Sequence, residues 1–335
     1  MTRPVDLAEM VKAKKSLGQN FLSDRRVVSR ILEAVSPSKN DIVFEIGPGT
    51  GALTFPLARQ AGFLVAIEAD ATLADPLKKQ IDALNVRIIC GDALSLDWEA
   101  VVDAALADHQ ALSRPTSEQR TSSERKECGI EGHELRPAAE PVRVRVVANL
   151  PYYISTAILQ ILLEHHARFS DYTLMLQDEV VDRIASQPGG REYGYLSVLA
   201  QYYCEIEKLF EVPPSAFKPA PKVQSAVVRL TTRNQPPVRV ENEAEFFRLI
   251  RMSFAQRRKT LLNNLKAAGA ALMQRDLRVR DSKQLGENSP SGGKAIPSGA
   301  IEAALEQSGI EPRRRAETLS INEFASLHAA LRNIA

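Results

Sequence analysis

An apolar run that opens into a glycine-rich loop is the feature that most limits what this chain can fold into. Residues 42–46 read Ile-Val-Phe-Glu-Ile, and residues 47–52 read Gly-Pro-Gly-Thr-Gly-Ala. A strand, a glycine loop and a helix in this order form the ligand-facing turn of an open α/β sheet, because glycines permit tight turning and close approach of the backbone to a ligand. The loop therefore predicts an α/β fold with a ligand at the end of this strand.

Further apolar runs supply the other strands of such a sheet. The runs at 63–68, 86–90 and 142–148 alternate with segments that have helical spacing. Continuous apolar strands separated by helices are typical of a parallel sheet whose two faces are covered. Two later runs, 203–212 and 225–230, flank a proline-punctuated loop and predict an antiparallel hairpin. We therefore expect a mostly parallel, Rossmann-like sheet with an antiparallel terminal hairpin.

The residue pattern changes after the predicted hairpin. A Pro-Pro pair at 236–237 indicates a linker, so we expect a sheet domain over 1–232 and a smaller helical domain over 238–335. Residues 245–265 carry an apolar stripe at helical spacing and predict helical structure there.

Two segments look inserted into this plan. The polar stretch at about 113–141 lies between two predicted strands and has no helical period. The stretch at about 286–299 is rich in Gly, Ser and Pro. We expect a mobile surface loop at the first position and a flexible segment at the second.

Composition argues against several classes of protein. No apolar stretch approaches the roughly 20 residues that span a bilayer, and the first residues lack the apolar core of a signal peptide, so we expect a cytoplasmic protein. The three cysteines show no C-x-x-C spacing, and the adjacent His165 and His166 cannot share one helix face, so we expect no metal.

The formal charge is only +2, but the chain from Arg233 onward holds 17 Lys and Arg against 11 Asp and Glu. That basic end favours phosphate binding and solvated helix faces about equally.

Acids at the predicted strand ends are placed to hold a nucleotide. Glu68 ends the run at 63–68, and Asp92 follows the run at 86–90. The glycine loop and Glu68 alone fit either NAD or S-adenosylmethionine, since both carry a ribose that a carboxylate can bind. Asp92 is placed to accept a hydrogen bond from an adenine amino group, so the pair favours an adenosyl ligand. Each acid could instead cap a helix, and the loop could be a turn without a ligand.

The fourth strand end has an unusual composition. It is followed by Asn149, Leu150, Pro151 and Tyr152, with a second phenol at Tyr153. A turn explains the amide and the proline but not two neighbouring aromatic rings. Exposed rings beside a strand end are typical of a site for a flat, polar ligand.

Together these residues resemble the class I S-adenosylmethionine-dependent methyltransferases, in which Asn-Leu-Pro-Tyr is similar to the motif that methylates amino groups. The chain more closely resembles the family of small-subunit ribosomal RNA adenine dimethyltransferases. The segments that match that family lie at 15–22, 176–183, 195–203, 212–228, 256–260 and 313–317. The departures are the two inserted segments and Tyr153, where many relatives carry Asn.

The resemblance implies a role for particular residues. The cofactor S-adenosyl-L-methionine would be held by Asn20, Leu22, Gly47, Gly49, Gly51, Glu68, Asp92 and Asn149. The catalytic site for the target adenine would consist of Asn149, Leu150, Pro151, Tyr152 and Phe217, with the two aromatic rings on the two faces of the base. RNA phosphates would meet Arg257, Arg258, Lys259, Arg313 and Arg314.

The implied substrate is a pair of adjacent adenosines in a hairpin loop near the 3′ end of small-subunit rRNA. Each would be methylated twice at N6, in an immature small ribosomal subunit late in assembly. We expect the enzyme to be a monomer. Three alternatives stay open: a methyltransferase of large-subunit rRNA, an assembly factor whose methylation is incidental, and an NAD-dependent oxidoreductase, which leaves residues 149–152 unexplained.

Overall fold

The chain folds into two compact units, which are described separately. The first consists of Met1–Val181 with Glu205–Thr232, and the second of Asp182–Cys204 with Arg233–Ala335. The structure is a computed structural model, and the residues it describes are 13–14, 17–81, 83–113, 141–268 and 298–334. The predicted inserted segments lie outside the described residues except at their ends.

The strands and helices alternate through the first unit. Its strands are β1 (Phe21–Leu22), β2 (Ile42–Ile46), β3 (Phe63–Glu68), β4 (Val86–Cys90), β5 (Val144–Asn149), β6 (Asp171–Gln177), β7 (Cys204–Val212), β8 (Phe217–Lys218) and β9 (Ser225–Thr232). Its helices are α1 (Arg25–Val35), α2 (Thr54–Gln60), α3 (Ala71–Gln80), α4 (Trp98–Ser113) and α5 (Ser155–Glu164), and α6 (Asp178–Ala185) spans its boundary. Short 3-10 turns lie at His166–Arg168 and Pro214–Ala216.

The main sheet has seven strands in the order β4-β3-β2-β5-β6-β9-β7. Neighbouring strands from β4 to β6 are parallel, and β9 runs antiparallel to β6. A separate two-stranded sheet pairs β1 with β8 in antiparallel fashion. The mostly parallel α/β fold predicted from the sequence is confirmed.

The order of the strands decides where a ligand can bind. From β2 the chain continues to β3 and β4 on one side, and β5 and β6 lie on the other side, so the direction of winding reverses between β2 and β5. Ile46 at the end of β2 pairs with Ala148 of β5. The glycine loop and Asn149 therefore leave the sheet side by side, at the switch point where open α/β sheets bind ligands.

Burial on both faces explains why the central strands are continuously apolar. Every residue of β2 and β3 is buried. Helix α1 covers the sheet with Val27, Ile31 and Val35, which recur at helical spacing, and Asp24 caps it by accepting a hydrogen bond from the Arg26 N–H.

The second unit is helical. Its helices are α7 (Tyr195–Tyr203), α8 (Glu243–Ser253), α9 (Leu261–Ala268), α10 (Ser298–Gln307) and α11 (Ile321–Ile334), with a 3-10 turn at Ala316–Thr318. Their buried side chains form one core that includes Tyr193, Val198 and Tyr202. This packing explains why 182–204 belongs to the second unit, although the sequence assigned all of 1–232 to one domain.

The helical material predicted over 245–265 consists of two helices, because the first stops at Ser253 and a new one begins at Leu261. The amide of Asn264 donates hydrogen bonds to the carbonyls of Ser253 and Gln256, at 2.8 and 3.1 Å. These bonds satisfy carbonyls that a continuing helix would use, so the chain turns out to solvent between the two helices.

No helix within the described ranges is both long and apolar enough to cross a bilayer.

Candidate active site

A pocket of about 990 Å³, counted to its open mouth, lies at the carboxyl ends of β2, β3 and β5 in the first unit. Residues of five segments line it: 17–22, 45–53, 67–73, 91–93 and 149–158. The site predicted from the sequence at successive strand ends is thus one continuous cavity.

The glycine loop forms the floor of the pocket with its backbone. Gly47 and Gly49 have φ angles of +72° and +58°, in the left-handed region that favours glycine. The Gly47 N–H donates to the carbonyl of Ile67 at 2.9 Å, which ties the loop to β3. A Cβ on Gly49 would lie 3.2 Å from the ring of Phe21, so only glycine lets the first strand pack this closely.

Gly51 does not line the pocket, although the sequence suggested a cofactor contact for it. Its φ is +87°, and a Cβ there would lie 2.6 Å from Phe55 and 2.9 Å from Leu77. The glycine is required because two helices pack against the loop from behind.

Glu68 stands at the tip of β3 and is 6% exposed. Its Oε2 accepts a hydrogen bond from the Gly49 N–H at 3.0 Å, and its Oε1 accepts one from the Asp70 N–H at 2.9 Å. Burial raises the pKa of this carboxyl, and the backbone hydrogen bonds only partly oppose that effect. The carboxylate is therefore held rigidly at the pocket wall, beside the glycine loop.

Glu45 is a second buried acid of the pocket, to which the sequence analysis assigned no role. It is 2% exposed, and its Oε2 has no hydrogen-bond partner among the described residues. Burial, with the nearby charge of Glu68, raises the pKa of Glu45 to about 8. The available signal was an acid in an otherwise apolar strand, two positions before the first glycine.

Asp92 lines the pocket after β4 and is exposed. Its Oδ1 accepts a hydrogen bond from the Leu94 N–H at 3.0 Å, and its carbonyl accepts one from the Ser95 N–H at 3.0 Å. The side chain thus caps its own turn with one oxygen, and the next helix begins only at Trp98.

The segment before α1 covers one side of the pocket and includes Asn20 and Leu22. The Asn149 Nδ2 donates to the carbonyl of Asn20 at 3.3 Å. Lys14 pairs with Asp70 at 2.8 Å and anchors the segment near β3. Hydrogen bonds from Lys14, Thr72 and Gln19 hold the pKa of Asp70 at about 2 against the effect of burial.

Residues 149–152 form a stiff loop on the opposite wall. The Leu150 N–H donates to the carbonyl of Met175 at 3.3 Å, and the Ile154 N–H donates to the carbonyl of Pro151 at 3.2 Å. Tyr152 is half-buried and lines the pocket, whereas Tyr153 is 58% exposed at its rim. The ring of Tyr153 lies close to Gly18.

Phe217 is not brought to the pocket. It is 3% exposed, and its strand pairs with β1 so that it lies opposite Leu22. Packing in the core of the first unit accounts for this ring as it stands, which agrees with the packing interpretation of its sequence position.

The basic residues expected to meet RNA belong to the second unit. Arg257, Arg258 and Lys259 are all exposed in the turn between α8 and α9, where they line a concave surface with Gln256. The Lys259 N–H closes the turn on the carbonyl of Gln256 at 2.9 Å. Arg257 also donates to the carbonyl of Arg191.

The second basic stretch divides into exposed and engaged side chains. Arg313 is exposed. Arg314 forms an ion pair with Glu323 and donates to the Thr318 hydroxyl at 3.1 Å. The hydrogen bond from Arg314 lowers the pKa of Glu323 to about 2. The backbone carbonyl of Arg314 accepts a hydrogen bond from the Leu261 N–H at 2.8 Å, which joins this stretch to the start of α9.

Comparison with known proteins decides the family. The model of the family described as ribosomal RNA adenine dimethylase matches residues 10–291. The chain belongs to the ribosomal RNA adenine dimethylase family. It is 41% identical over 319 residues to the ribosomal RNA small subunit methyltransferase A of Shouchella clausii, covering 95% of this chain and 89% of the relative. It is 42% identical to the protein of the same name from Geobacillus thermodenitrificans, covering 95% and 90%.

Solved structures of two methyltransferases share the fold of this dimethylase family member. A dimethyladenosine transferase from Plasmodium falciparum aligns with a TM-score of 0.64 at 23% identity, covering 94% of this chain and 98% of that one. The 23S rRNA methyltransferase ErmE aligns with a TM-score of 0.55 at 22% identity, covering 93% and 100%. The class I methyltransferase fold is therefore confirmed.

The pocket of this rRNA adenine dimethylase suits S-adenosylmethionine by its own chemistry. A backbone cradle at Gly47 and Gly49 approaches the cavity without side chains, and Glu68 offers carboxylate oxygens at the wall. The unpartnered Oε2 of Glu45 is a buried acceptor that a cationic ammonium group would satisfy. The described residues contain no cluster of three or more His, Cys, Asp or Glu that could hold a metal ion.

Proposed function

We propose that this enzyme transfers methyl groups from S-adenosyl-L-methionine to N6 of two adjacent adenosines in a hairpin loop near the 3′ end of small-subunit rRNA, twice on each. The observation that carries the proposal is the position of Asn149 and Tyr152 on the wall of the same pocket that holds Glu68 and the glycine cradle. The residues proposed for adenosyl binding and those proposed for methylation of the amino group thus line one cavity. Both relatives named above are methyltransferases of the small subunit.

The cofactor would be held by residues at four strand ends and the preceding segment. Gly47 and Gly49 would give backbone contacts, Glu68 would accept from the ribose hydroxyls, and Asp92 from the adenine amino group. Asn20 and Leu22 would contact the methionine part. When bound, S-adenosylmethionine supplies an electrophilic methyl group on its sulfonium, and loss of that group would leave a neutral thioether.

Asn149 would act on the amino group of the target base. Adenine N6 is a poor nucleophile because its lone pair is delocalised into the ring. The side-chain oxygen of Asn149 and a backbone carbonyl of Leu150 or Pro151 can accept the two N6 hydrogens, which favours a pyramidal amine and stabilises the positive charge that develops on it. The hydrogen bond from the Asn149 amide nitrogen to Asn20 supports this role, because it leaves the oxygen to accept.

The proton balance requires no strong base in this step. After the N–C bond forms, N6 is an ammonium, which is acidic enough to lose its proton to water. Glu45 and Glu68 belong to β2 and β3, whose ends carry the glycine loop and the proposed ribose contact. Neither acid is needed to remove the proton.

Tyr152 would stack on the adenine once that base has left its own helix, as enzymes that modify bases require. Stacking of this kind contributes roughly 1 to 3 kcal/mol. Phe217 is left out of this role because it is buried in the core. Tyr153, exposed at the rim, would lie beside the base and affect how a monomethylated adenine is held.

The exposed turn at Arg257, Arg258 and Lys259 would contact RNA phosphates, with Arg313 as a further exposed cation. Such contacts position the RNA without specifying its sequence. Arg314 is left out of this surface because Glu323 and Thr318 engage its guanidinium. The immature small subunit would be the particle recognised, by a monomeric enzyme in the cytoplasm.

The test is nucleoside mass spectrometry on undermethylated small ribosomal subunits incubated with the protein and S-adenosylmethionine, with the product mapped on the rRNA. We expect N6,N6-dimethyladenosine at two adjacent loop positions, and no product with Asn149→Ala. Methylation confined to large-subunit rRNA would replace this proposal with the large-subunit alternative. Cofactor binding with no methylated adenosine on either subunit would favour an assembly factor.

A further inference from the structure

Two serines that contact Tyr152 have no part in the mechanism above. Ser225 Oγ lies 2.6 Å from the phenolic oxygen of Tyr152, and either hydroxyl can donate this hydrogen bond. Ser155 Oγ donates to the backbone carbonyl of Tyr152 at 3.1 Å. Both serines are fully buried, and neither lines the pocket. Tyr152 is thus held at its backbone and at the far end of its ring.

The two serines are themselves fixed by regular structure. Ser225 is the first residue of β9 and lies opposite Gln177 of β6 in the antiparallel register. The Asp178 N–H donates to the carbonyl of Gln224 at 3.0 Å, so hydrogen bonds continue past the end of the strand pair. Ser155 is the first residue of α5. The anchors of Tyr152 therefore belong to a strand and a helix rather than to loops.

We propose that Ser225 is a positioning residue for base methylation, which holds the phenol of Tyr152 so that its ring stays oriented toward the target adenine. This inference rests on the proposed function. A free tyrosine ring rotates about two torsions, and fixing it on base binding costs conformational entropy. With the phenol anchored on β9, that cost is met when the protein folds, and the ring presents one face to the pocket before the base arrives.

The contact with Ser225 accounts for the hydroxyl group of Tyr152, which the packing of its ring does not explain. A phenylalanine would fill the same volume and could stack on a base equally well. Burial raises the pKa of Tyr152 above its ordinary value, so the phenol stays neutral and retains its proton for the hydrogen bond. The bond to Ser225 gives the phenol oxygen a partner inside the protein, and water does not need to reach it.

The test compares Ser225→Ala, Tyr152→Phe and the double variant in single-turnover methyl transfer to undermethylated small subunits, with S-adenosylmethionine affinity measured alongside. We expect each single change to slow transfer about three- to tenfold, because each removes the same hydrogen bond. The double variant should be no slower than the singles, since the bond can be lost only once. Cofactor affinity should be unchanged in all three.

Thr173→Val is a matched control. Thr173 is also a buried hydroxyl of this sheet, on β6, and its Oγ1 has no hydrogen-bond partner among the described residues. Removal of that hydroxyl should leave the transfer rate at the wild-type value. Equal slowing by Thr173→Val and Ser225→Ala would mean that loss of any buried hydroxyl disturbs the sheet, and would overturn the proposal.

Other outcomes are equally decisive. If Ser225→Ala fails to fold, Tyr152→Phe alone still tests the bond, and a wild-type rate for it overturns the proposal. Multiplying effects in the double variant would also overturn it. Slow transfer with Tyr152→Ala but full rate with Ser225→Ala would leave the proposed function standing without this anchor, whereas no transfer by the wild-type enzyme would overturn both.

Discussion

The Oε2 atom of Glu68 accepts a hydrogen bond from the backbone N–H of Gly49 at 3.0 Å. This bond joins the tip of β3 to the glycine loop, so one carboxylate shapes the cradle and faces the pocket. Each carboxylate oxygen has further acceptor capacity. Ribose hydroxyls can therefore donate to Glu68 while its bonds to Gly49 and Asp70 remain.

Glu68→Ala should weaken S-adenosylmethionine binding by about 30-fold or more, because hydrogen bonds to a charged group contribute roughly 1.5 to 3 kcal/mol each. Tyr152→Ala should leave that affinity nearly unchanged and lower methyl transfer to RNA. Isothermal titration calorimetry with the two variants measures the difference. Equal losses of cofactor affinity would show that the two roles are divided wrongly.

Cofactor affinity should also fall on acidification, starting above the pH range of an ordinary glutamate. The ionised form of Glu68 is the better acceptor for ribose hydroxyls, and burial raises the pKa of this group. Affinity is therefore fully present well above the raised pKa and decreases as the pH falls through it. A titration series measures this dependence, and the slope should be shallower in Glu68→Gln than in the wild type.

Glu45→Gln should stabilise the ligand-free protein at alkaline pH and have little effect at acidic pH. Glu45 has a pKa of about 8 in the folded protein, against 4.5 for an ordinary glutamate such as that of the unfolded chain. Below the lower value both states are protonated and no penalty arises. Between the two values the unfolded chain releases its proton and the folded one keeps it, so stability declines as the pH rises, and the deficit is complete above about 8.

The free energy of unfolding of Glu45→Gln should exceed that of the wild type by up to about 5 kcal/mol at pH 9, as linkage between protonation and folding requires. Urea unfolding at pH 4 and pH 9 provides the measurement. A difference that is constant across this range would mean that Glu45 does not titrate with folding.

Gly51→Ala should destabilise the protein more than Gly189→Ala. Both glycines have φ near +86°, but a Cβ on Gly51 would meet Phe55 and Leu77, whereas a Cβ on Gly189 would meet nothing within 4 Å. Gly189→Ala therefore reports backbone strain alone, about 1 kcal/mol. Overpacking adds roughly 1 to 3 kcal/mol for Gly51→Ala. Thermal unfolding provides the measurement, and equal melting temperatures for the two variants would contradict the prediction.

Replacement of Arg257, Arg258 and Lys259 with Gln should weaken RNA binding and flatten its dependence on salt. Each phosphate contact to single-stranded RNA contributes about 0.7 to the slope of log affinity against log salt, so three contacts should lower the slope by about 2. Lys78→Gln with Lys79→Gln, exposed at the end of α3, is the matched control. An unchanged slope in the triple variant would remove the turn from the RNA surface.

The sequence predicted the sheet and most of the pocket because both depend on local signals. Apolar runs, a glycine loop and polar strand ends are each formed by residues that are adjacent in sequence. Parallel pairing then brings strand ends such as Ile46 and Ala148 together. Phe217 and Gly51 do not line the pocket, and their neighbours Leu22 and Leu77 come from other segments of the chain. No local pattern tells a ring that stacks on a ligand from one that packs on Leu22.

The helix break at 254–260 escaped prediction for a related reason. The apolar stripe continues in register from α8 to α9, so hydrophobic periodicity alone does not show where one helix ends and the next begins. The break depends on the buried amide of Asn264, which bonds to two carbonyls of the preceding turn. Arg314 is a similar case. Only the folded structure brings Glu323 to its guanidinium, so the sequence does not distinguish Arg314 from its exposed neighbour Arg313.

The pairing of β1 with β8 also sets an order of events during synthesis. The Ser23 hydroxyl donates to the carbonyl of Ala216, across a separation of 193 residues. The wall that carries Asn20 and Leu22 thus rests on chain that is translated much later. A nascent chain that stops short of this point has the glycine loop and the Lys14–Asp70 pair but lacks the β1–β8 pairing, so we expect full competence to hold the methyl donor only after about two thirds of the polypeptide has left the translating ribosome.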